Sequence, residues 1–204
     1  MTQVRTLLPA NQWPRMTYEE YLGASEIPEH TEWVDGLVVE MMSVSRRHAE
    51  MQVYLIELLQ AYLRRFPVGR VYLEPFQMKP SSDLPGRSPD IMVVLERTYD
   101  RLRDQFLEGP ADLVIEIISQ GSEAVDRGDK FYEYEAGGVA EYWLIDPIRE
   151  VADFYVLDDR GVFRASTSGR FESSVLPGLS IDDDWLWEPK PMIEVLAVLG
   201  LTGA

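Results

Sequence analysis

The chain has 204 residues, which suits one domain, and it carries a formal net charge of −16 at pH 7. It contains no cysteine, which excludes a disulfide framework, a thiolate metal site and a cysteine nucleophile. The acidic balance opposes non-specific binding to polyanions, no apolar run is long enough to cross a bilayer, and the N-terminus lacks the apolar core of a signal peptide. A cytoplasmic protein without membrane contact is therefore expected.

Two short elements are predicted at the start of the chain, after a leader of residues 1–16. Thr17–Ala24 is typical of a helix, because its first residue can cap it and Glu20, three residues on, completes a capping box. Thr31–Val44 is typical of a β-hairpin with an Asp-Gly turn, and Glu32 lies on its first strand.

The clearest predicted helix is Arg46–Phe66, whose apolar residues recur at alternating spacings of three and one and form one stripe. Ser45 is a candidate cap, and His48 lies in the first turn. Residues 96–110 are expected to form a charged and exposed link between strands. Strands are predicted at Arg70–Met78, Pro89–Leu95 and Asp112–Ser119.

The second half of the chain is predicted to hold one helix, further strands and a short C-terminal helix. Ser122–Ala136 is typical of a helix despite Gly128, with Gly137-Gly138 behind it as a C-cap. The C-terminal helix is expected at about Met192–Leu201. Strands are expected at Glu141–Asp146, Val151–Leu157 and Val162–Ala165, with an irregular β segment over Phe171–Trp187.

The order of these elements predicts an α/β (α+β) fold in which helices flank the faces of a mixed β-sheet. The N-terminal hairpin and the C-terminal β segment are additions to that sheet. We expect one domain over residues 17–187, followed by a helical tail at residues 188–204.

The strand Asp112–Ser119 carries the strongest functional signal. Glu116 interrupts an apolar run that is otherwise typical of a buried strand. Because an unpaired buried carboxylate is costly, Glu116 is expected to hold a cation, a proton or a metal. A salt bridge from Glu116 to an arginine is the structural alternative.

Asp90 follows a proline at the start of the preceding strand, and neighbouring strands could place its carboxylate beside that of Glu116. Two such carboxylates suit Mg²⁺ or Mn²⁺, which accept a few carboxylates and keep several waters. A metal of this kind polarises a phosphoryl oxygen and lowers the pKa of a bound water. The alternative for Asp90 is a polar residue at a strand end.

Lys130 is the third candidate. Asp126, Lys130 and Tyr134 are spaced four residues apart and line one stripe of the predicted helix. If this helix leans over the end of the Glu116 strand, Lys130 can stabilise phosphate charge or orient the attacking water. The alternative is a surface pair of Asp126 with Lys130, worth about a few tenths of a kcal/mol.

Asp90 after a proline, followed by the strand Glu116-Ile117-Ile118, resembles the PD-(D/E)xK nuclease superfamily. Within it, the chain resembles the Uma-two family of restriction endonucleases, which is also classed as a domain of unknown function. The resemblance covers roughly residues 17–187. Its other motifs are Glu32, Asp35-Gly36, His48, Asp112 to Glu116 with Ser119, Asp126 with Lys130 and Tyr134, Gly138-Val139, Glu141 to Trp143, and Pro177-Gly178-Leu179.

The resemblance implies a restriction-endonuclease-like mixed sheet flanked by helices, and metal-dependent phosphodiester hydrolysis. It implies Asp90 and Glu116 as metal ligands, helped by the backbone carbonyl of Ile117. The superfamily's lysine usually lies two residues after the glutamate, where this chain has Ile118. The family implies that this role has moved onto the following helix, to Lys130.

Further residues match the family with weaker implications. Glu32 matches an early glutamate that would reach the metal directly or through water; an exposed position on the hairpin is the alternative. His48 matches a family position, although a histidine there is more often a cap or a packing residue. Tyr134 and Trp143 are expected in the core, and Arg87 is expected to be a solvated surface charge or a phosphate contact.

Two functions are weighed. The first is an Mg²⁺-dependent or Mn²⁺-dependent endonuclease acting on nucleic acid, with DNA favoured. A homodimer is expected, because restriction-type nucleases pair to cut two strands and Met192–Leu201 offers an apolar surface. The second is a non-catalytic member of the fold that binds a protein or nucleic acid. The carboxylates and the lysine favour the first function, and the net charge of −16 favours the second.

Overall fold

The computed structural model describes residues 13–28, 30–41, 43–166 and 169–202. Most of the predicted leader lies outside the described residues. Its last residue is tied to the hairpin, since the Met16 amide donates to the Gly36 carbonyl at 3.0 Å and the Met16 carbonyl accepts from the Trp33 indole at 2.9 Å.

The described residues alternate between helices and short strands. The helices are α1 (Tyr18–Gly23), α2 (Arg46–Arg65), α3 (Lys130–Gly137), α4 (Asp184–Trp187) and α5 (Met192–Val198). The strands are β1 (Thr31–Val34), β2 (Leu37–Glu40), β3 (Gly69–Leu73), β4 (Gln77–Lys79), β5 (Ile91–Leu95), β6 (Phe106–Glu108), β7 (Leu113–Ile117), β8 (Glu141–Asp146), β9 (Val151–Leu157), β10 (Phe163–Ala165), β11 (Arg170–Glu172) and β12 (Ser180–Asp182). A 3₁₀ turn spans Glu96–Arg101, and a π-helical turn at Val125–Asp129 leads directly into α3.

A six-stranded mixed sheet forms the centre, in the order β10-β9-β8-β7-β5-β3. The pair β7 and β8 is parallel, and the other neighbours are antiparallel. The β1–β2 hairpin, the β11–β12 pair and the parallel β4–β6 pair lie outside this sheet. The mixed sheet with flanking helices confirms the predicted fold class.

Helices cover both faces of the central sheet. On one face, the apolar stripe of α2 packs in the same core cluster as Ile115 and Ile117 of β7. On the other face, Val114 and Ile118 share a cluster with Tyr134 of α3. Because side chains alternate along a strand, Glu116 lies on the α3 side, between Val114 and Ile118.

Three of the predicted caps are present, whereas the Ser122 hydroxyl, also expected to cap a helix, instead contacts the backbone of Ser119. Thr17 forms a complete capping box with Glu20 at the start of α1. The Ser45 side chain accepts a hydrogen bond from the His48 amide at 3.2 Å, which satisfies one of the free donors of α2. Gly138 ends α3 with a φ of +86°, a left-handed conformation that favours glycine.

Three predicted elements differ from the structure. The strand predicted over residues 70–78 is two strands, because the chain turns between Leu73 and Phe76 and Pro75 cannot donate to a ladder. The link at residues 96–110 is not simply exposed, since Leu107 of β6 is fully buried. The predicted C-terminal β segment ends in helix α4. No helix in the described ranges is long and apolar enough to cross a membrane.

Candidate active site

A cavity of about 270 Å³ opens between the hairpin, the start of α2, the adjoining ends of β5 and β7, and the π-helical turn. Its charged lining is mostly acidic. The acids are Glu32, Glu40, Glu74, Asp90, Glu116 and Asp126, and the bases are Arg87 and Lys130. Such an excess of carboxylates around one cavity favours a bound cation.

Asp90 precedes β5 and meets the end of β7. Ile91 pairs with Ile115, so Asp90 stands across from Glu116 in the antiparallel register. The Asp90 Oδ2 atom accepts a hydrogen bond from the Ile117 amide at 2.6 Å and lies 3.2 Å from His48 Nε2. The structure therefore brings the two predicted carboxylates to one end of the sheet.

Glu116 is 2% exposed, and one of its oxygens is held by two donors. Its Oε1 accepts from the Tyr134 hydroxyl at 2.6 Å and forms an ion pair with Lys130 Nζ at 2.9 Å. Burial raises the pKa of Glu116 well above its ordinary value, against the opposing charge of Lys130, and the charge of Asp90 raises the pKa further. The partner of this carboxylate is a lysine and not an arginine.

Lys130 lies at the centre of the acidic groups. Its Nζ is 2.9 Å from Glu116 Oε1, 3.2 Å from Asp126 Oδ1 and 3.9 Å from Glu32 Oε1. Burial would lower the pKa of Lys130, but the surrounding carboxylates outweigh it and raise the pKa, so the ammonium stays charged. The alternative of a solvent-exposed pair with Asp126 is wrong, because both side chains are buried.

The π-helical turn positions Lys130. Its amide donates to the carbonyl of Val125, five residues back, instead of four residues back as in an α-helix. The two helical types join here without a break, and the side chains of Asp126, Lys130 and Tyr134 all point inward. π-helical turns of this kind are frequent at functional sites.

Glu32 reaches the cavity from the hairpin and is 6% exposed, so the alternative of an exposed hairpin residue is wrong. Its Oε1 accepts from the Ser88 amide at 2.9 Å and its Oε2 from Arg87 Nη1 at 3.0 Å. Arg87 also donates to both oxygens of Glu133, at 2.7 and 2.8 Å. Arg87 is thus a buried bridge, which corrects its interpretation as a surface charge.

Three of the five buried side-chain polar atoms that lack a hydrogen-bond partner among the described residues belong to this neighbourhood. They are His48 Nδ1, Ser88 Oγ and Asp126 Oδ1, the last of which still has its ion pair with Lys130. Buried polar atoms are normally satisfied, and a group of exceptions indicates space for water, an ion or a ligand. Ser88 carries no signal in the sequence beyond its place near Asp90.

The donor set fits a hard divalent cation. In the described part of the chain, hydrogen bonds engage Oδ2 of Asp90 and Oε1 of Glu116, and the other oxygen of each remains for a cation. Among the same residues, no three His, Asp or Glu side chains form a closed metal cage. Mg²⁺ does not need one, because it binds through one or two carboxylates and keeps several waters.

Glu141 provides an internal comparison, since it is also a fully buried glutamate in the central sheet. Its Oε1 accepts from the Trp143 indole at 2.7 Å, and its Oε2 accepts from the Ser174 amide and hydroxyl at 2.8 and 2.9 Å. Neutral donors thus satisfy Glu141 within the core. Glu116 differs because it faces a cavity and shares a lysine with other acids.

Comparisons with known proteins agree with this fold. The uncharacterized protein slr1290 of Synechocystis is 29% identical over 186 residues, which cover 88% of this chain and 95% of that protein. A crystal structure of "a putative nuclease belonging to DUF820" from Anabaena variabilis matches with a TM-score of 0.66 at 18% identity, over 84% of this chain and 97% of that one. The model of the Uma2 family, described as "Putative restriction endonuclease", matches residues 17–184. The chain therefore belongs to the Uma2 family.

Proposed function

We propose that this protein is a metal-dependent endonuclease that hydrolyses phosphodiester bonds in DNA and uses Mg²⁺ or Mn²⁺. The observation that carries the proposal is the convergence of Asp90, Glu116 and Lys130 on one cavity, with Lys130 Nζ 2.9 Å from Glu116 Oε1. Membership of a family described as restriction endonucleases supports phosphodiester hydrolysis and favours DNA.

Asp90 and Glu116 would hold the metal, together with the backbone carbonyl of Ile117, a residue that also lines the cavity. A bound metal would polarise the scissile phosphate and lower the pKa of an attacking water. The two carboxylates would fix the position of the metal, because they lie at adjoining strand ends of one rigid sheet.

Lys130 would supply a fixed positive charge beside the scissile phosphate. Its ammonium stays protonated among the carboxylates, so it can stabilise negative charge that develops during attack, or orient the water. Glu32 and Asp126 would hold the ammonium from its other sides, at 3.9 and 3.2 Å. Hydrogen bonds from Arg87 and Ser88 already engage both oxygens of Glu32. Direct contact of Glu32 with the metal stays a prediction.

A non-catalytic role in binding a partner is the second candidate. The acidic lining of the cavity favours it, because Arg87 and Lys130 are the bases of that lining and both are neutralised by carboxylates. Proteins that grip nucleic acids through phosphates normally present accessible Arg and Lys. On the first proposal, divalent cations must supply the missing positive charge.

One experiment separates these two functions. Labelled DNA and RNA of the same sequence are incubated with wild type and Asp90→Ala in Mg²⁺, in Mn²⁺ and in EDTA. We expect cleavage of DNA by wild type with either metal, and none in EDTA or with Asp90→Ala. Asp104→Ala, which removes an exposed carboxylate outside the cavity, is the matched control and should cleave normally. Absent cleavage, together with a melting temperature that Mn²⁺ does not change, would favour the binding role, whereas cleavage in EDTA would contradict the proposed metal dependence.

We also propose an assembly and a location. We expect a homodimer, because cutting two strands requires two sites, and we expect the protein in the cytoplasm. Both stay predictions.

A further inference from the structure

We infer that His48 and Tyr134 are positioning residues of the metal site. Each holds one oxygen of a carboxylate ligand, and thereby determines which oxygen faces the cavity. The inference rests on the proposed function, because it concerns the same carboxylates.

The start of α2 holds Asp90 at two points. His48 is 1% exposed, and its Nε2 lies 3.2 Å from Asp90 Oδ2. An ionised carboxylate can only accept, so Nε2 must carry the hydrogen. Gln52, one helical turn further on, donates to the Asp90 backbone carbonyl at 3.1 Å. With the Ile117 amide also on Oδ2, the carboxylate cannot rotate freely, and Oδ1 is the oxygen left for a cation.

We call such a contact, in which a side chain holds one oxygen of a carboxylate ligand, a clamp. His48 forms the first clamp, on Asp90, and the second clamp comes from α3. The Tyr134 hydroxyl donates to Glu116 Oε1 at 2.6 Å, and the tyrosine is fully buried. Its ring packs edge-on against Tyr142 with the centroids 5.3 Å apart, which fixes the direction of the hydroxyl. Lys130 shares Oε1, so Oε2 is the oxygen left for a cation.

The two clamps act from opposite faces of the sheet, since α2 and α3 belong to different core clusters. Each clamp has a second donor that remains after substitution: the Ile117 amide on Asp90 and Lys130 on Glu116. Loss of one clamp should therefore weaken metal binding without abolishing it. Partners that orient metal ligands typically contribute about 10-fold to 100-fold in metal affinity.

Isosteric substitutions separate positioning from packing. Tyr134→Phe removes only the hydroxyl. Tyr54→Phe is the matched control, because the Tyr54 hydroxyl is buried in α2 and has no hydrogen-bond partner among the described residues. For His48, alanine removes the donor, whereas His48→Gln can restore an N–H near the position of Nε2.

The test measures the Kd for Mn²⁺ by titration calorimetry, together with the melting temperature of each variant in EDTA. We expect Tyr134→Phe and His48→Ala to weaken Mn²⁺ binding about 10-fold to 100-fold. Tyr54→Phe should stay within about twofold of wild type, and His48→Gln should bind more tightly than His48→Ala.

Three results would overturn the inference, in whole or in part. Wild type that binds Mn²⁺, with Tyr134→Phe and His48→Ala unchanged, would refute the positioning role and leave the proposed function standing. Wild type that binds no Mn²⁺ would refute the proposed function, and the positioning role with it. Equal weakening in His48→Gln and His48→Ala would assign His48 to packing alone.

Discussion

Replacing Lys130 with methionine should strongly destabilise the metal-free protein. Methionine keeps much of the length of the side chain and removes the charge that three carboxylates share, at 2.9, 3.2 and 3.9 Å. At an effective dielectric constant of about 20, each contact is worth roughly 4–6 kcal/mol before desolvation is counted. The buried ammonium also costs several kcal/mol in lost hydration, which methionine avoids.

The net effect should resemble the removal of one partner from a buried ion pair, which costs about 3–5 kcal/mol. We expect a loss of this size in the free energy of unfolding, measured by urea denaturation at pH 7 in EDTA. Lys190→Met is the matched control, because Lys190 is exposed, and it should change stability by less than about 0.5 kcal/mol.

Added Mn²⁺ should narrow the difference between Lys130→Met and wild type, because a cation in the cavity would replace part of the lost charge. If Lys130→Met unfolds within about 1 kcal/mol of wild type in EDTA, Lys130 does not hold the carboxylates together, and the electrostatic account of the site is refuted.

Three further predictions concern features outside the candidate active site. Glu141→Gln should lose about 1–3 kcal/mol of stability, because an amide nitrogen cannot accept the hydrogen bonds from Ser174. A folded Glu141→Gln variant should still bind Mn²⁺ like wild type. Weaker Mn²⁺ binding would show that Glu141 belongs to the site. Burial alone would raise the pKa of Asp146, but hydrogen bonds from Arg149 and Ile148 outweigh it and lower the pKa. That carboxylate therefore stabilises the fold above its unfolded pKa of about 3.9 and loses this effect as the pH falls through the lowered folded pKa. Chemical denaturation of Asp146→Asn should show its largest deficit at neutral pH and a smaller one below about pH 4, and a deficit that does not depend on pH would contradict the assignment. Light scattering should give twice the mass of one chain, whereas the mass of a monomer would contradict the predicted homodimer.

Local signals explain which parts of the fold were predictable. The stripe and cap of α2 and the capping box of α1 depend on residues a few positions apart, and the structure contains them as predicted. The prediction of one continuous strand over residues 70–78 is wrong, because the break depends on a partner far away in the chain. β4 lies outside the central sheet and pairs with β6. Pro75 is the sequence signal that indicates this break, since proline interrupts the hydrogen-bond ladder of a sheet.

The candidate site also has a part that the sequence predicts and a part that it does not. A carboxylate within an apolar strand and the spacing from Asp126 to Lys130 both indicated candidate site residues, because burial of a charge demands a partner. The role of Arg87 could not be predicted, since it bridges Glu32 on the hairpin and Glu133 on α3, and no sequence spacing links these two elements. Tyr134 was expected in the core, and it is buried; the residue sequence alone could not show that its hydroxyl meets Glu116.

Cleavage of supercoiled plasmid tests the central claim most directly. Wild type, Glu116→Ala and Lys130→Ala are compared in Mg²⁺ and Mn²⁺, with circular dichroism to verify that each variant is folded. The account predicts nicking by wild type and none by either folded variant. Nicking that survives in Glu116→Ala, or a wild type that neither nicks DNA nor binds Mn²⁺, would contradict it.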